Sequence, residues 1–227
     1  MAKILAIGAH PDDVEIGMGG TILTLKAQGH QVSILDLTNG EPTPLGTPEQ
    51  RARESQESAR ILGVDHRWTL DLPNRYMIDE VDARVKVAEI IRQYKPDALF
   101  LHYWDDAHPD HVAASKLGEA GRFYAKFTKT NWKGEPFFSL RMFYFFSTHF
   151  RLNIKPALIY DISPFIEQKA RALMAYQSQF NEKRGNLGMS DDIKAAARWW
   201  GSRARFQYGE PFASREEIGV RDLNALL

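Results

Sequence analysis

Two short tracts carry most of the chemistry in this chain: His10-Pro11-Asp12-Asp13 and His108-Pro109-Asp110-His111. In each, the first and last residues are three apart, so a turn can bring their side chains to one point. Taken together, His10, Asp13 and His111 make a set of two imidazoles and one carboxylate. Such a set suits Zn²⁺ or Fe²⁺ and leaves room for water and substrate. The chain has no cysteine. Thiolate metal sites, disulfides and a cysteine nucleophile are therefore excluded, and any metal must be held by histidine and carboxylate. One tract alone could be a helix start, where aspartate is favoured. Two tracts, each following an apolar run, are hard to ascribe to capping.

The apolar runs supply the positioning. Residues 3–9 and 98–102 read as buried strands, and the two tracts begin just past their carboxyl ends. In a parallel sheet those ends share one edge, which is where open α/β sheets carry their chemistry. The remaining pattern agrees: helix 15–28, strand 31–37, a loop rich in proline and glycine, helix 48–62, short strand 67–70, helix 81–94 and helix 108–126. Alternation of strand and helix predicts an α/β fold, a Rossmann-like, mostly parallel sheet with helices on both faces. Beyond residue 127 the order changes. Strands at 140–146 and 157–160, a helix over 162–180 capped by Ser163 with Pro164 first, a polar loop at 181–190 and a helix over 191–208 form a C-terminal extension. The expected organisation is one domain over 1–227, with a core at 1–127 and an appended lobe at 128–227.

Composition narrows the function. Of 227 residues, 44% are hydrophobic, which favours a folded core over disorder. Lys+Arg and Asp+Glu are equal at 29 each, so no general attraction to nucleic acid or anionic membrane is expected. No run is long enough to span a bilayer and no signal peptide is evident, so a cytoplasmic location is expected. The glycines at 17, 19 and 20 suggest a nucleotide-binding loop, but no G-x-G-x-x-G follows the first strand. That disfavours a Rossmann nucleotide-binding protein.

AHPDD, followed by Glu15 and Gly19-Gly20, together with HPDH at 108–111, resembles the LmbE/PIG-L family of zinc-dependent amino-sugar N-deacetylases. The resemblance spans nearly the whole chain. Several stretches are similar to the branch that deacetylates N-acetylglucosaminyl-malate in bacillithiol biosynthesis: GAHPDDVEIGMGGT at 8–21, ESARILG at 57–63, LPNRYM at 72–77, AYQSQF at 175–180 and the pentapeptide Tyr208–Phe212.

The resemblance implies His10, Asp13 and His111 as ligands of Zn²⁺, with Fe²⁺ an alternative. It implies Asp12 as general base, and His108 as oxyanion stabiliser or donor to the leaving amine. Asp110 is expected to bond the His108 ring and keep it charged, because a nearby carboxylate raises a histidine pKa. Arg51, which matches a substrate-side arginine in relatives, and Arg75 and Arg141 are candidates for an anionic substrate. Glu15 is a candidate for a sugar hydroxyl. His30, His66 and His149 read as structural or exposed, His102 as core, and the tryptophans as core or subunit interface. The expected ligand is a small N-acetylated amino sugar, with neither nucleic acid nor membrane as partner, and the resemblance implies a homo-oligomer, a hexamer. N-acetylglucosamine itself or a chitobiose-type substrate stands as the alternative.

Overall fold

The computed structural model describes residues 1–149, 153–180 and 188–220. Strand β1 (Lys3–Gly8) lies within a seven-stranded sheet of order β3-β2-β1-β4-β5-β7-β6. The other strands are β2 (Gln31–Asp36), β3 (Arg67–Thr69), β4 (Ala98–His102), β5 (Arg141–Phe145), β6 (Leu158–Asp161) and β7 (Gly209–Ala213). Neighbours among β1 to β5 pair in parallel, whereas β7 runs antiparallel to both β5 and β6.

The strands are apolar because both sheet faces are covered. Alternation along β1 sends Leu5 and Ile7 into the core under helices α3 (Val81–Tyr94) and α4 (Pro109–Ala125). It sends Ile4 and Ala6 to the opposite face, with Val14, Met18 and Ile22 of helix α1 (Asp13–Ala27). Helix α2 (Pro48–Leu62) starts at Thr47, whose side chain accepts from the Gln50 amide, and stops at Gly63 with φ 70°. From β1 the chain builds outward through β2 and β3, then crosses to β4 on β1's other side. The β1–β4 junction is thus the point where strand order reverses, and a crevice opens there beyond the strand ends.

The C-terminal part departs from the expected pattern. The helix expected over 162–180 is a 3₁₀ turn (Ser163–Phe165) followed by helix α5 (Ile166–Met174). Ser163 does not cap it: its hydroxyl bonds Asp161 Oδ1 at 2.5 Å. Helix α6 (Met189–Arg203) ends before Tyr208. The tail then enters the sheet as β7, which the sequence pattern disguises because Gly209 and Pro211 read as turn residues. The strand tolerates Pro211 because β7 pairs with β5 only through Phe212 and Ala213. Most of the polar loop expected at 181–190 lies outside the described residues. Strands β5 to β7 extend the same sheet, and α5 lies against α1 and α2. Among the described residues, no helix is long and apolar enough to cross a membrane.

Candidate metal centre and active site

Both histidine tracts sit at the carboxyl ends of adjacent strands, one after β1 and one after β4. The first turn is tight: the His10 amide donates to Asp13 Oδ2 at 2.8 Å, and the Asp13 amide to His10 O at 3.3 Å. Asp12 adopts φ 113°, a left-handed conformation costly for a residue with a Cβ. Strain of this kind persists where surrounding structure enforces it, commonly at functional sites.

Asp13 is the hub. Its Oδ1 lies 3.2 Å from His111 Nε2, and its Oδ2 lies 3.3 Å from His10 Nδ1 and 3.2 Å from His102 Nε2. Ligand atoms around a tetrahedral metal with bonds near 2.0–2.2 Å stand about 3.3–3.5 Å apart. The second nitrogen of each candidate ligand histidine meets a buried carboxylate: His10 Nε2 to Asp110 Oδ2 at 3.1 Å, and His111 Nδ1 to Asp106 Oδ2 at 2.6 Å. Such backing fixes the ring and makes the inward nitrogen a better donor. Candidate ligand clusters form around His111: His10–His108–His111, Asp13–His102–His111 and Asp106–His111–His149. His10, Asp13 and His111 fit a Zn²⁺- or Fe²⁺-type ion by donor chemistry, and each histidine nitrogen stands against a different oxygen of Asp13. His102 fits less well, since its Nε2 accepts the Ala9 amide at 3.0 Å.

The electrostatics separate the neighbours. Burial pushes the Asp12 carboxyl up to about 7, against the pull of Arg51 and helped by the charge of Asp13. Burial acts on Asp13 too, but His111, His102 and His10 outweigh it and hold it well below the usual carboxylate range. His10 and His111 are raised to about 9 and about 10: burial opposes this, and the carboxylates of Asp110, Asp13 and Asp106 overcome it. His108 moves the other way, to about 4, through burial and the charges of His111 and His10. His102 likewise falls to about 4, by burial and His111.

Several expected roles need correction. Asp110 does not bond the His108 ring through its carboxylate. That carboxylate accepts from His10 Nε2 and from the amides of Arg75 (2.6 Å) and Met77 (3.2 Å). The Asp110 backbone amide instead donates to His108 Nδ1 at 3.2 Å. With Nδ1 accepting, a neutral His108 carries its proton on Nε2, so the charged imidazole is not what this geometry favours. Glu15 is no sugar ligand: it is fully buried, and its Oε1 accepts from Ser58 Oγ, Arg67 Nη1 and Tyr176 Oη at 2.6–2.8 Å. It ties α1 to α2, β3 and the segment after α5. Arg141 opens β5 opposite Ala98, at the amino end of the strands, so it lies at the sheet edge away from the site.

Arg51 and Arg75 do reach the site. Arg51 is buried and bonds Asp12 Oδ2 at 3.0 Å and the Pro11 carbonyl, so one guanidinium steadies the strained turn. Arg75 is exposed, with its Nη2 bonded to Pro42 O at 2.7 Å at the cavity mouth. Asp106, Ser147 and His149 are not singled out by spacing. Nothing in the sequence favours Asp106 over Asp105, yet Asp106 holds His111 and the His149 amide. His149 is exposed, as expected, and its ring centroid lies 5.2 Å from that of His111 at the cavity lining. Ser147 Oγ lies 3.3 Å from Asp13 Oδ1.

His10, Asp12, Asp13, His108 and His111 open into one cavity of about 840 Å³. Its far side is apolar, with Phe146, Phe180, Trp199 and Trp200. The profile of the family described as PIG-L, GlcNAc-PI de-N-acetylase, matches residues 5–120, which contain both histidine tracts. The chain belongs to the PIG-L deacetylase family. A diacetylchitobiose deacetylase of Thermococcus kodakarensis is 31% identical, with 92% of this chain and 81% of that protein covered. Among solved structures, the conserved protein TT1542 of Thermus thermophilus superposes with a TM-score of 0.88 at 38% identity, over 97% of this chain and 98% of that one. The N,N'-diacetylchitobiose deacetylase of Pyrococcus horikoshii, solved with its inhibitor MPG, gives a TM-score of 0.80 at 27% identity over 93% and 82%.

Proposed function

We propose that this protein hydrolyses the acetamide of an N-acetylglucosamine conjugate, with N-acetylglucosaminyl-malate as the preferred conjugate. The observation that carries the deacetylase reading is the division of labour around Asp13. The two oxygens of Asp13 stand within 3.3 Å of His10 Nδ1 and His111 Nε2, while Asp12 touches neither ring and faces the cavity. His10, Asp13 and His111 would hold a Zn²⁺ or Fe²⁺ ion, which would supply Lewis acidity toward the acetamide oxygen and toward water. Asp12, with a pKa near neutrality, takes a proton from the attacking water. The water oxygen bonds the acetamide carbon, and the His108 Nε2–H donates to the oxyanion that develops. When the carbon–nitrogen bond breaks, Asp12 returns its proton to the amine, and acetate and the free amino sugar are released. Arg51, bonded to Asp12 Oδ2, keeps the carboxylate aimed and favours its charged form.

The malate assignment is supported by the branch-like stretches, LPNRYM in particular, and by Arg75 at the mouth. Its guanidinium can meet a substrate carboxylate through charge-assisted hydrogen bonds. A second reading, a chitobiose-type substrate, is favoured by Trp199 and Trp200 on the far side, whose faces suit a second sugar ring. An assay of free-amine release over a panel of acetylated amino sugars, with and without malate, separates the two. Malate-bearing sugar should be the best substrate. A wide margin for plain N-acetylglucosamine or diacetylchitobiose defeats the malate assignment. No release from any of them defeats the deacetylase reading.

A further inference from the structure

Helix α1 is broken. Met18 has φ −149° and ψ 20°, outside the helical region, so the helix is kinked between its first half, which carries Asp13, and its second. In an unbroken helix the Gly20 amide and the Ile16 carbonyl would be each other's partners. Here both are taken by a buried ion pair from the C-terminal part of the chain. Lys169 Nζ, on α5, donates to Ile16 O at 2.7 Å. Glu210, on β7, accepts from the Gly20 amide at 2.9 Å through Oε1 and from the Thr21 amide at 2.6 Å through Oε2. Lys169 Nζ and Glu210 Oε1 are 2.5 Å apart, and the two residues are 3% and 2% exposed.

Each charge is on the favourable pole. The ammonium meets a carbonyl where the first half of the helix ends, and the carboxylate meets amides where the second half begins. The neighbourhood leaves little freedom. A Cβ at Gly17 would come within 2.4 Å of the Phe145 ring, and one at Gly20 within 2.7 Å of Ile162. The helix can thus sit against β5 and the segment after β6 only where it carries glycine.

We propose that Lys169 and Glu210 are positioning residues for the catalytic centre. They splice the break in α1 and so fix the turn that presents Asp13 to His10 and His111. Neither touches the reacting atoms; they act through the backbone of residues 16–21. The inference rests on Asp13 being a metal ligand, and it gives β7 and α5 a role at a site whose chemical groups all come from elsewhere.

The test uses the intact protein and Glu210→Gln, which keeps the shape but loses the pairing charge and one acceptor. Zn²⁺ affinity is measured by competition with a chromophoric chelator, beside thermal unfolding and steady-state kinetics. The control is Val87→Ala, a cavity variant in the α3–α4 core that lowers stability without touching α1. Zn²⁺ affinity should fall about tenfold in Glu210→Gln, with a matching loss in kcat and KM within about twofold, and remain unchanged in Val87→Ala. Equal Zn²⁺ affinity in wild type and Glu210→Gln, or an equal loss in Val87→Ala, overturns the positioning role. A wild type that binds no divalent ion overturns the metal reading itself, and this role with it. If Glu210→Gln does not fold, amide hydrogen exchange in the wild type decides. Zn²⁺ should slow exchange at Gly20 and Thr21 more than at α3 amides, and slowing no greater than in α3 overturns the proposal.

Discussion

The two turns that build the site share the sequence His-Pro-Asp and put it to opposite uses. In the first, His10 is clasped by Asp13 and Asp110 and its pKa is raised to about 9; in the second, His108 accepts a backbone amide and falls to about 4. The aspartates diverge as well. Asp12 is partly buried beside a single arginine and rises to about 7. Asp110 accepts one histidine and two backbone amides, and these bonds outweigh its burial to hold it below its usual range. Identical tripeptides at equivalent strand ends give one aspartate that lines the cavity beside Asp13 and another that is locked behind His10 by three hydrogen bonds; under the proposed function the first is the base. Role is assigned by partners, and the motif supplies only the residue types.

The contrast between Asp12 and Asp110 makes the sharpest prediction. Asp12→Ala should lower kcat by about 10²–10⁴-fold while the protein keeps its metal, because only the proton acceptor is lost. Asp110→Asn should instead weaken metal binding by about 10–100-fold, since it removes the carboxylate behind His10. If both variants show the same pattern, the distinction between the turns collapses. Steady-state kinetics together with metal titration of each variant gives the answer.

A buried charge outside the cavity gives the third contrast. Glu15→Ala should destabilise the fold by about 3–5 kcal/mol in urea unfolding, because it leaves Ser58, Tyr176 and Arg67 Nη1 without their buried carboxylate acceptor, although Asp36 still pairs Arg67. KM should not move in whatever fraction stays folded. A change in KM at unchanged stability would restore Glu15 as a sugar ligand.

The pH dependence follows from Asp12. A general base works as its carboxylate, so the rate should fall as pH drops through its pKa. With the cation absent that value is about 7. A cation beside it favours the charged form and lowers the midpoint, so the acid limb of kcat/KM should lie at or below pH 7 and vanish in Asp12→Ala. The smallest effect belongs to Arg141→Ala. It lies at the opposite edge of the sheet and should leave KM and kcat within about twofold, whereas Arg75→Ala at the mouth should raise KM for an anionic substrate by about tenfold or more.

Much of this arrangement is legible in the sequence. Hydrophobic alternation and the stops at Gly63 and Pro96 delimit the helices and strands through α4, because those elements are governed by local pattern. The meeting of the two histidine tracts around Asp13 follows from strand order, since parallel strands share their carboxyl edge. Glu15 misleads because a carboxylate in a first helical turn looks the same whether it faces a cavity or Arg67 and Tyr176. Asp106 escapes notice because its partner, the His111 ring, is chosen by side-chain direction rather than by spacing. Strand β7 is hidden because Gly209 and Pro211 contradict strand propensity, and only tertiary pairing with β5 and β6 overrides it.

Metal content tests the central claim most directly. Purified in the presence of Zn²⁺ and then dialysed, the wild type and Asp12→Ala should each retain about one ion per chain by elemental analysis, and Asp13→Ala close to none. Full occupancy in Asp13→Ala, or its loss in Asp12→Ala, would contradict the assignment of one aspartate to the metal and the other to the proton.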